Sequence, residues 1–495
     1  MRFGHRSTLV AWSAYVFVIS CFCMSDRFSF GKQIRTYFGT VSAAGSVFVR
    51  AKAWLGADRL PKIIIWAGII IRVGVFLTLS PDNNDHHSRV IEFILNHHRL
   101  PQLLEENEAY SPPLYYVLGV PFMAAANAKG VQLLSLMFSI GTLLCMDRLI
   151  YRTAVIRSDT ARLYSIILVA LLPQFVIFSL FVTNDTMACF LGAVTLLQAY
   201  RFARSPDWKE LSLLATLTGL GLLTKGVFLA FAPILAVLVF IRSDSSWRKA
   251  SLATATYLLI TAALGCYKYV DNYLVYRNPT ITNLDTNSEW VVRQQKLYRG
   301  WKSYSNLNIA RIVHDPIFDE KDDEGYPVLF YASFWYPHLR DSSFAWKTPI
   351  RTPGSLTYIF ASVPTSAFLA GLAVFLAQLW KLWRNPSRLD SDALMLYAAG
   401  VILLSNTALL LGAVAKYHVW SIVQSRLLFP SIFGGFAIFS EGVRLFESRR
   451  VLKVTLAVTM VCLTVLFLVY LCAEIGMNAG TAESTASRAL RLFHK

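Results

Sequence analysis

The chain has 495 residues, 55% of them hydrophobic and only 16% charged, with a formal net charge of +17. A soluble protein of this length carries roughly a quarter charged residues, and here the apolar residues fall in runs of about 17 to 25, the length of a helix that crosses a bilayer. These figures exclude a soluble domain, and the absence of period-two alternation excludes a membrane barrel.

Residues 1–61 read as an N-terminal anchor or interfacial segment, apolar over Thr8 to Met24, and a basic cytoplasmic linker carrying Lys32, Arg35, Arg50 and Lys52. Ser25-Asp26-Arg27 is a poor small-residue cleavage site, which argues against a removed signal peptide. The first clean span is Lys62 to Leu79, and Ser80 to Tyr116 follows it as a first external loop. Arg72 stands mid-span, where an unpaired charge is expensive, and is expected to find a carboxylate or a phosphate.

The segment Pro113 to Ala128 is too short to cross comfortably. Arginines 148, 152, 157 and 162 place the end of the next span, Val131 to Tyr151, on the inner side. Pro113 to Ala128 therefore reads as a half-helix lying in the outer leaflet. Spans then alternate: Arg162 to Val182 runs out, Met187 to Ala203 in, Leu211 to Thr224 out, Gly226 to Ile241 in and Leu252 to Val270 out. Residues 271–354 form a large external loop. The C-terminal helices, within 355–473, are Ser355 to Trp380, Ala393 to Val414, Ile422 to Ser440 and Val451 to Leu471, and 474–495 is a tail. The expected fold class is an all-α polytopic membrane protein of about 11–13 transmembrane helices with large external loops, the core being 62–270. The basic residues lie at span ends and not in one patch, so the net charge reflects topology and no nucleic-acid partner is expected. The seven cysteines lie in or beside apolar spans, which predicts neither a disulfide framework nor a thiolate zinc site. No repeat of 20–50 residues and no inverted repeat is visible.

On this topology five separate stretches bring polar residues to one outer face: the Asp82 loop, Asn184-Asp185, Lys225, the large loop, and Lys416 to Arg426. Asp82, Asp85, His86 and His87 crowd into six residues. Asp82 or Asp85 at the membrane face could act as general base, and burial beside lipid would raise the carboxylate pKa. Asp85 also suits the N-cap of a helix starting at His86. Adjacent histidines on a helix point apart, so a divalent metal stays open and unassigned. Lys225 and Arg426 could hold a phosphate, or could snorkel to lipid headgroups. The run Tyr331 to His338 could stack on sugar rings or isoprenoid tails, or anchor at the interface. The acidic run Asp319 to Glu324 lacks the spacing of a calcium loop.

Several ordered motifs between Arg72 and Ser440 carry a resemblance. They are Pro81-Asp82-Asn83-Asn84-Asp85-His86, Leu100-Pro101, Ser111-Pro112-Pro113-Leu114-Tyr115-Tyr116, and Asn184-Asp185. Further on come Gly219-Leu220-Gly221-Leu222-Leu223-Thr224-Lys225, Ser333-Phe334-Trp335, and Gln424-Ser425-Arg426-Leu427-Leu428-Phe429-Pro430. With these the chain resembles the GT-C-fold membrane glycosyltransferases that use polyprenyl-phosphate sugars, a group that includes the protein O-mannosyltransferases and the lipid A aminoarabinose transferase. Three positions depart from that pattern: Asn83 replaces a usual Glu, Ser111 a frequent His, and Leu427 a frequent Tyr.

The resemblance implies that Asp82 is the base, with Asp85 beside it, and that Lys225 and Arg426 hold the donor phosphate. It further implies that the outer loop closes over the donor, and that His86, Tyr115, Asn184, Asp185, Trp335 and Gln424 contact substrate. The implied partners are a polyprenyl-phosphate-linked sugar donor, a lipid, glycan or protein acceptor, and the bilayer. The implied setting is a bacterial inner membrane with the site facing outward. The alternatives are a transporter or flippase of lipid-linked sugars, and a non-catalytic relative.

Overall fold

The computed structural model describes residues 59–493, apart from 82–85, 104, 244–245, 287, 299, 318–324, 337–347 and 385–388. The N-terminal apolar stretch Thr8 to Met24 and the acidic run Asp319 to Glu324 lie outside the described residues. Among the described residues every regular element is a helix. In chain order these begin with α1 (Arg59–Thr78), α2 (His87–His97), α3 (Leu114–Arg152), α4 (Asp159–Leu171), α5 (Pro173–Phe178) and α6 (Asn184–Arg204). Next come α7 (Trp208–Leu222), α8 (Phe228–Ser243), α9 (Trp247–Gly265) and α10 (Tyr267–Tyr276). The large loop holds α11 (Glu289–Tyr298), α12 (Lys302–Ser305), α13 (Ile309–His314) and α14 (Tyr326–Trp335). The chain closes with α15 (Thr348–Arg384), α16 (Ser391–Tyr417), α17 (Ile432–Glu447) and α18 (Arg450–Phe493).

Among the described residues six helices, α1, α3, α6, α16 and most of α15 and α18, are each long and apolar enough to cross a membrane. The pair α9 and α10, bent by 61°, makes a seventh if it is one span. The other stretches expected to cross are shorter or broken. Pro173 interrupts the Arg162 to Val182 stretch into α4 and α5. The Ile422 to Ser440 stretch enters through the 3₁₀ segment Ser425–Ser431 before α17 begins. Broken helices are tolerated at membrane depth where protein covers the freed backbone groups, and both breaks lie in the buried core. Helix α3 is itself split: Ala126 (φ −152°) and Asn127 (φ 51°) leave the helical region. A Cβ on Gly130 would lie 2.1 Å from the carbonyl oxygen of Phe122, so only glycine permits this bend.

Helix starts follow their capping residues. Ser158 accepts from the Ala161 N–H at 3.1 Å, Asp207 from Glu210 at 2.8 Å and Asp390 from Ala393 at 2.7 Å. Asp390 opens α16 near the end where α6 and α8 finish, and Arg242 and Ser391 both bond the Ala203 carbonyl there. Basic residues close α3 (Arg152), α6 (Arg201, Arg204), α8 (Arg242) and α15 (Lys381, Arg384).

Two contacts hold the core of the bundle. Arg72 is fully buried in α1, and its expected carboxylate or phosphate partner is replaced by backbone. Its guanidinium donates to the carbonyls of Val169 and Ala170 at 2.8 Å, to Gly68 at 3.1 Å, and to Ser139 Oγ at 2.9 Å. Pro173 has no N–H to offer the Val169 carbonyl four residues back, so the helix break creates the acceptor that Arg72 fills. The second contact joins α6 to the 3₁₀ segment. A Cβ on Gly192 would lie 2.2 Å from the Pro430 carbonyl oxygen, so α6 accepts this backbone only where its side chain is absent.

Replacing Arg72 by Met should leave the Val169 and Ala170 carbonyls unpaired, at a cost of about 1–3 kcal/mol each. Thermal unfolding in detergent should therefore show a clear loss of stability, partly recovered by Arg72→Lys. Gly192→Val should push the 3₁₀ segment off α6, and limited proteolysis should then cut around residues 420–432 where the unaltered chain resists.

Candidate active site

The bundle end opposite the basic helix termini is where α1 stops, α6 starts, α7 gives way to α8, and α16 passes into the 3₁₀ segment. A cavity of about 820 Å³ lies there, with walls drawn from the first loop, α6, the α7–α8 turn, α10, the large loop and the Tyr417 to Leu428 stretch.

Its most charged wall is built around Asp185. Thr183, the N-cap of α6, accepts from the Asp185 backbone N–H at 3.3 Å, so the carboxylate sits in the first helical turn, where the helix dipole favours an anion. Lys225 Nζ bonds Asp185 Oδ1 directly and donates to Asn184 Oδ1 at 3.3 Å. Arg426 Nη1 stands 3.7 Å from Asp185 Oδ2, with the guanidinium 4.3 Å above the Phe178 ring. Two cations thus share one carboxylate at a largely buried site on the cavity wall.

Local sequence explains each placement. The Lys225 N–H closes on the Gly221 carbonyl at 2.9 Å, ending α7 in a tight turn that turns the side chain back to α6. Gly192, two helical turns from Asp185 on the same face, lets the 3₁₀ segment lie close enough for Arg426 to reach it. Ser333 braces that segment from α14: its Oγ accepts from the Ser425 N–H at 2.9 Å and lies 3.0 Å from Ser425 Oγ.

Asp82 and Asp85 lie outside the described residues. The chain on either side of them is anchored at this cavity. The Pro81 carbonyl accepts the Val182 N–H at 2.9 Å, beside the start of α6. His87 is buried, lines the cavity, and pairs its Nδ1 with Tyr116 Oη at 2.8 Å. Helix α2 begins at His87, and its N-cap is His86, with φ 57° and no side-chain cap bond. The expected helix start at His86 moves by one residue to His87, and Asp85, the expected cap, lies outside the described residues.

The structure brings together Asn184, Asp185, Lys225, Gln424 and Arg426, all on the cavity wall. Three expected contact residues stand elsewhere. His86 is exposed. Tyr115 is fully buried behind the wall with its hydroxyl 2.8 Å from Ser135 Oγ, and Trp335 donates its indole N–H to Thr365 Oγ1 at 3.1 Å. The reading of sequence passed over Glu108, Lys268 and Asn272, which also line the cavity. Lys268 pairs with Asp271 at 3.0 Å just past the end of α9. A lysine inside the expected Leu252 to Val270 span was the available signal. Among the described residues no three His, Cys, Asp or Glu side chains converge as a metal-ligand set.

The large loop forms one side of the cavity and is fastened at two points. Asn283 Nδ2 reaches Asn107 Oδ1 at 3.2 Å in the first loop. Asp285 accepts from Lys416 Nζ at 2.9 Å and from the Tyr417 hydroxyl at 2.8 Å at the end of α16. Partial burial opposes ionisation of Asp285, but the Thr282 backbone N–H and the Lys416 and Tyr417 bonds outweigh it and hold the carboxyl below the usual aspartate range.

Residues 111–267 match the family model described as dolichyl-phosphate-mannose-protein mannosyltransferase. A search of curated protein sequences finds no significant match. Among solved structures, the chain is similar to ArnT from Cupriavidus metallidurans bound to undecaprenyl phosphate. The two are 14% identical, 84% of this chain and 78% of that one are covered, and the TM-score is 0.35. It is also similar to the archaeal oligosaccharyltransferase AglB from Archaeoglobus fulgidus in complex with an inhibitory peptide and a dolichol-phosphate. There the identity is 13%, with 87% of this chain and 56% of that chain covered at a TM-score of 0.40. The family match covers residues 111–267, the part of the chain that holds the Ser111 to Tyr116, Asn184-Asp185 and Gly219 to Lys225 motifs.

Proposed function

We propose that the protein is an inverting glycosyltransferase that moves a sugar from a polyprenyl-phosphate donor to a hydroxyl or amine acceptor on the outer face of the membrane. The observation that carries this reading is the Lys225–Asp185–Arg426 cluster on the wall of an 820 Å³ cavity at one bundle end. A leaving phosphate gains negative charge as the bond from the anomeric carbon to its oxygen breaks. Preorganised cations in a low-dielectric wall stabilise that charge without reorganising. Asp185 holds Lys225 and Arg426 in place on the cavity wall, where both can approach a phosphodiester.

The acceptor attacks the anomeric carbon from the face opposite the phosphate, and the configuration inverts. Its proton goes to a carboxylate, for which Asp82 is the candidate. Asp82 directly follows Pro81, and Pro81 is tied through Val182 to the start of the helix bearing Asp185. The large loop, fastened through Asp285 and Asn283, keeps water from the reacting sugar. The family match supports glycosyl transfer from a lipid-phosphate sugar. The identities of sugar and acceptor belong to the proposal, as does the outward orientation, which rests on the arginine-rich helix ends opposite the cavity.

Two measurements test the reading, both with membranes of matched expression. Lys225→Met and Arg426→Met should each lower kcat by about tenfold or more while the protein still folds; unchanged turnover in both would leave the cluster with Asp185 a purely structural one. Asp82→Asn should abolish transfer, by about a hundredfold or more as for a lost general base, whereas Asp85→Asn should keep much of the activity. Initial rates at saturating donor decide between the two aspartates, and the reverse pattern would move the base to Asp85.

A further inference from the structure

Helix α16 presents one continuous face to the cavity: Asn406, Leu409, Leu410, Ala413 and Tyr417 follow helical spacing and all line it. Asn406 lies eleven residues before Tyr417, roughly 16 Å down the helix axis at 1.5 Å per residue. It is the polar end of an otherwise apolar stripe. Its side chain is 3% exposed, and neither its Oδ1 nor its Nδ2 has a hydrogen-bond partner among the described residues. Buried amides inside a membrane bundle are costly to leave unsatisfied, and native folds seldom do so without a use.

Asn406 has company in the cavity lining. Trp420 Nε1, Gln424 Oε1 and Asn272 Oδ1 are also buried without a hydrogen-bond partner among the described residues, and all three residues line the cavity. Asn272 spends its Nδ2 on the Tyr110 carbonyl at 3.4 Å, so its oxygen is the unused half. These groups come from three separate stretches of chain and share one property: all are neutral. A sugar hydroxyl is both donor and acceptor. A primary amide offers one of each to it, and an indole N–H supplies a further donor.

We infer that Asn406 is a specificity-determining residue that hydrogen-bonds a hydroxyl of the donor sugar, with Trp420, Gln424 and Asn272 offering further neutral groups to the ring. The inference rests on the function proposed above and deepens it. It assigns the cationic cluster to the phosphate and these neutral groups to the ring. A site built to bond a hydroxyl rejects the analogue that lacks it far more strongly than an apolar pocket does, because its own polar groups are then left unpaired.

The test uses the full chain in detergent with a polyprenyl-phosphate hexose and each of its monodeoxy analogues as donors. Wild type should favour the parent hexose over at least one analogue by about a hundredfold or more in kcat/KM. Asn406→Leu should bring that ratio to within about fivefold of parity, mainly by losing the parent donor. Trp420→Phe, which deletes only the indole N–H, should erode discrimination at a different hydroxyl and stands as the second variant if the first folds poorly. Because the amide lacks a protein partner, Asn406→Leu should melt at or above the wild-type temperature without donor. A fall of more than roughly 5 °C would make Asn406 a structural residue and overturn the inference. Discrimination unchanged in both variants would overturn it as well, and would place these neutral groups on the acceptor side. A wild-type protein that turns over no member of the donor set would instead defeat the glycosyltransferase reading, and this inference with it.

Discussion

The candidate site depends on one buried carboxylate. Asp185 draws Lys225 from the α7–α8 turn and Arg426 from the 3₁₀ segment to the start of α6. Without that anion, two cations would face each other at a largely buried bundle end, and mutual repulsion would spread the helices that carry them. With it, three stretches far apart in the chain are pinned to one place. Such a pair is weak evidence of stability by itself, since desolvation offsets much of the attraction. Its value lies in position. It fixes where positive charge meets the cavity.

Below the carboxylate, packing sets the geometry. The Pro430 backbone approaches α6 at Gly192, and Ser333 bonds the segment from the other side. Arg426 can then lie over Phe178, which restricts the guanidinium to one plane. Arg72 plays the matching role deeper in the bundle. It converts the break at Pro173 from two unsatisfied carbonyls into a cross-link among α1, α3 and α4. In both places a helix interruption that would be a defect in lipid is used to bring an irregular segment toward function.

The cavity lining holds three kinds of group: the cations around Asp185, the neutral amides and an indole, and an apolar stripe of α16 between Asn406 and Tyr417. A lipid-linked sugar has the same three parts: a phosphate, a ring of hydroxyls and a hydrocarbon chain. The large loop completes the enclosure through Asp285 and Asn283, which join it to α16 and to the first loop.

Much of this was legible in the residues alone. Lipid demands long apolar helices, so the spans from Lys62 onward could be read from hydropathy, and the arginine-rich ends oriented them. The convergence of Asn184, Asp185, Lys225 and Arg426 on one end followed from that alternation. Sequence could not show which charges meet. The partner of Arg72 is backbone freed by Pro173, about a hundred positions away in the chain, and no pattern of side chains announces a carbonyl. Likewise Asn406 reads as a lone amide in an apolar run until the fold sets it in the same cavity lining as Trp420 and Gln424. Tyr115 and Trp335 belong to recognisable motifs, yet packing turns them away from the cavity and leaves their neighbours Tyr116 and Ser333 to pair with His87 and Ser425. Transfer from water to lipid depends on local composition, so sequence by itself determined where the long apolar helices form. Pairing between distant side chains depends on how close the backbones approach, at Gly192 to within what a missing Cβ allows, and only the tertiary structure decided that.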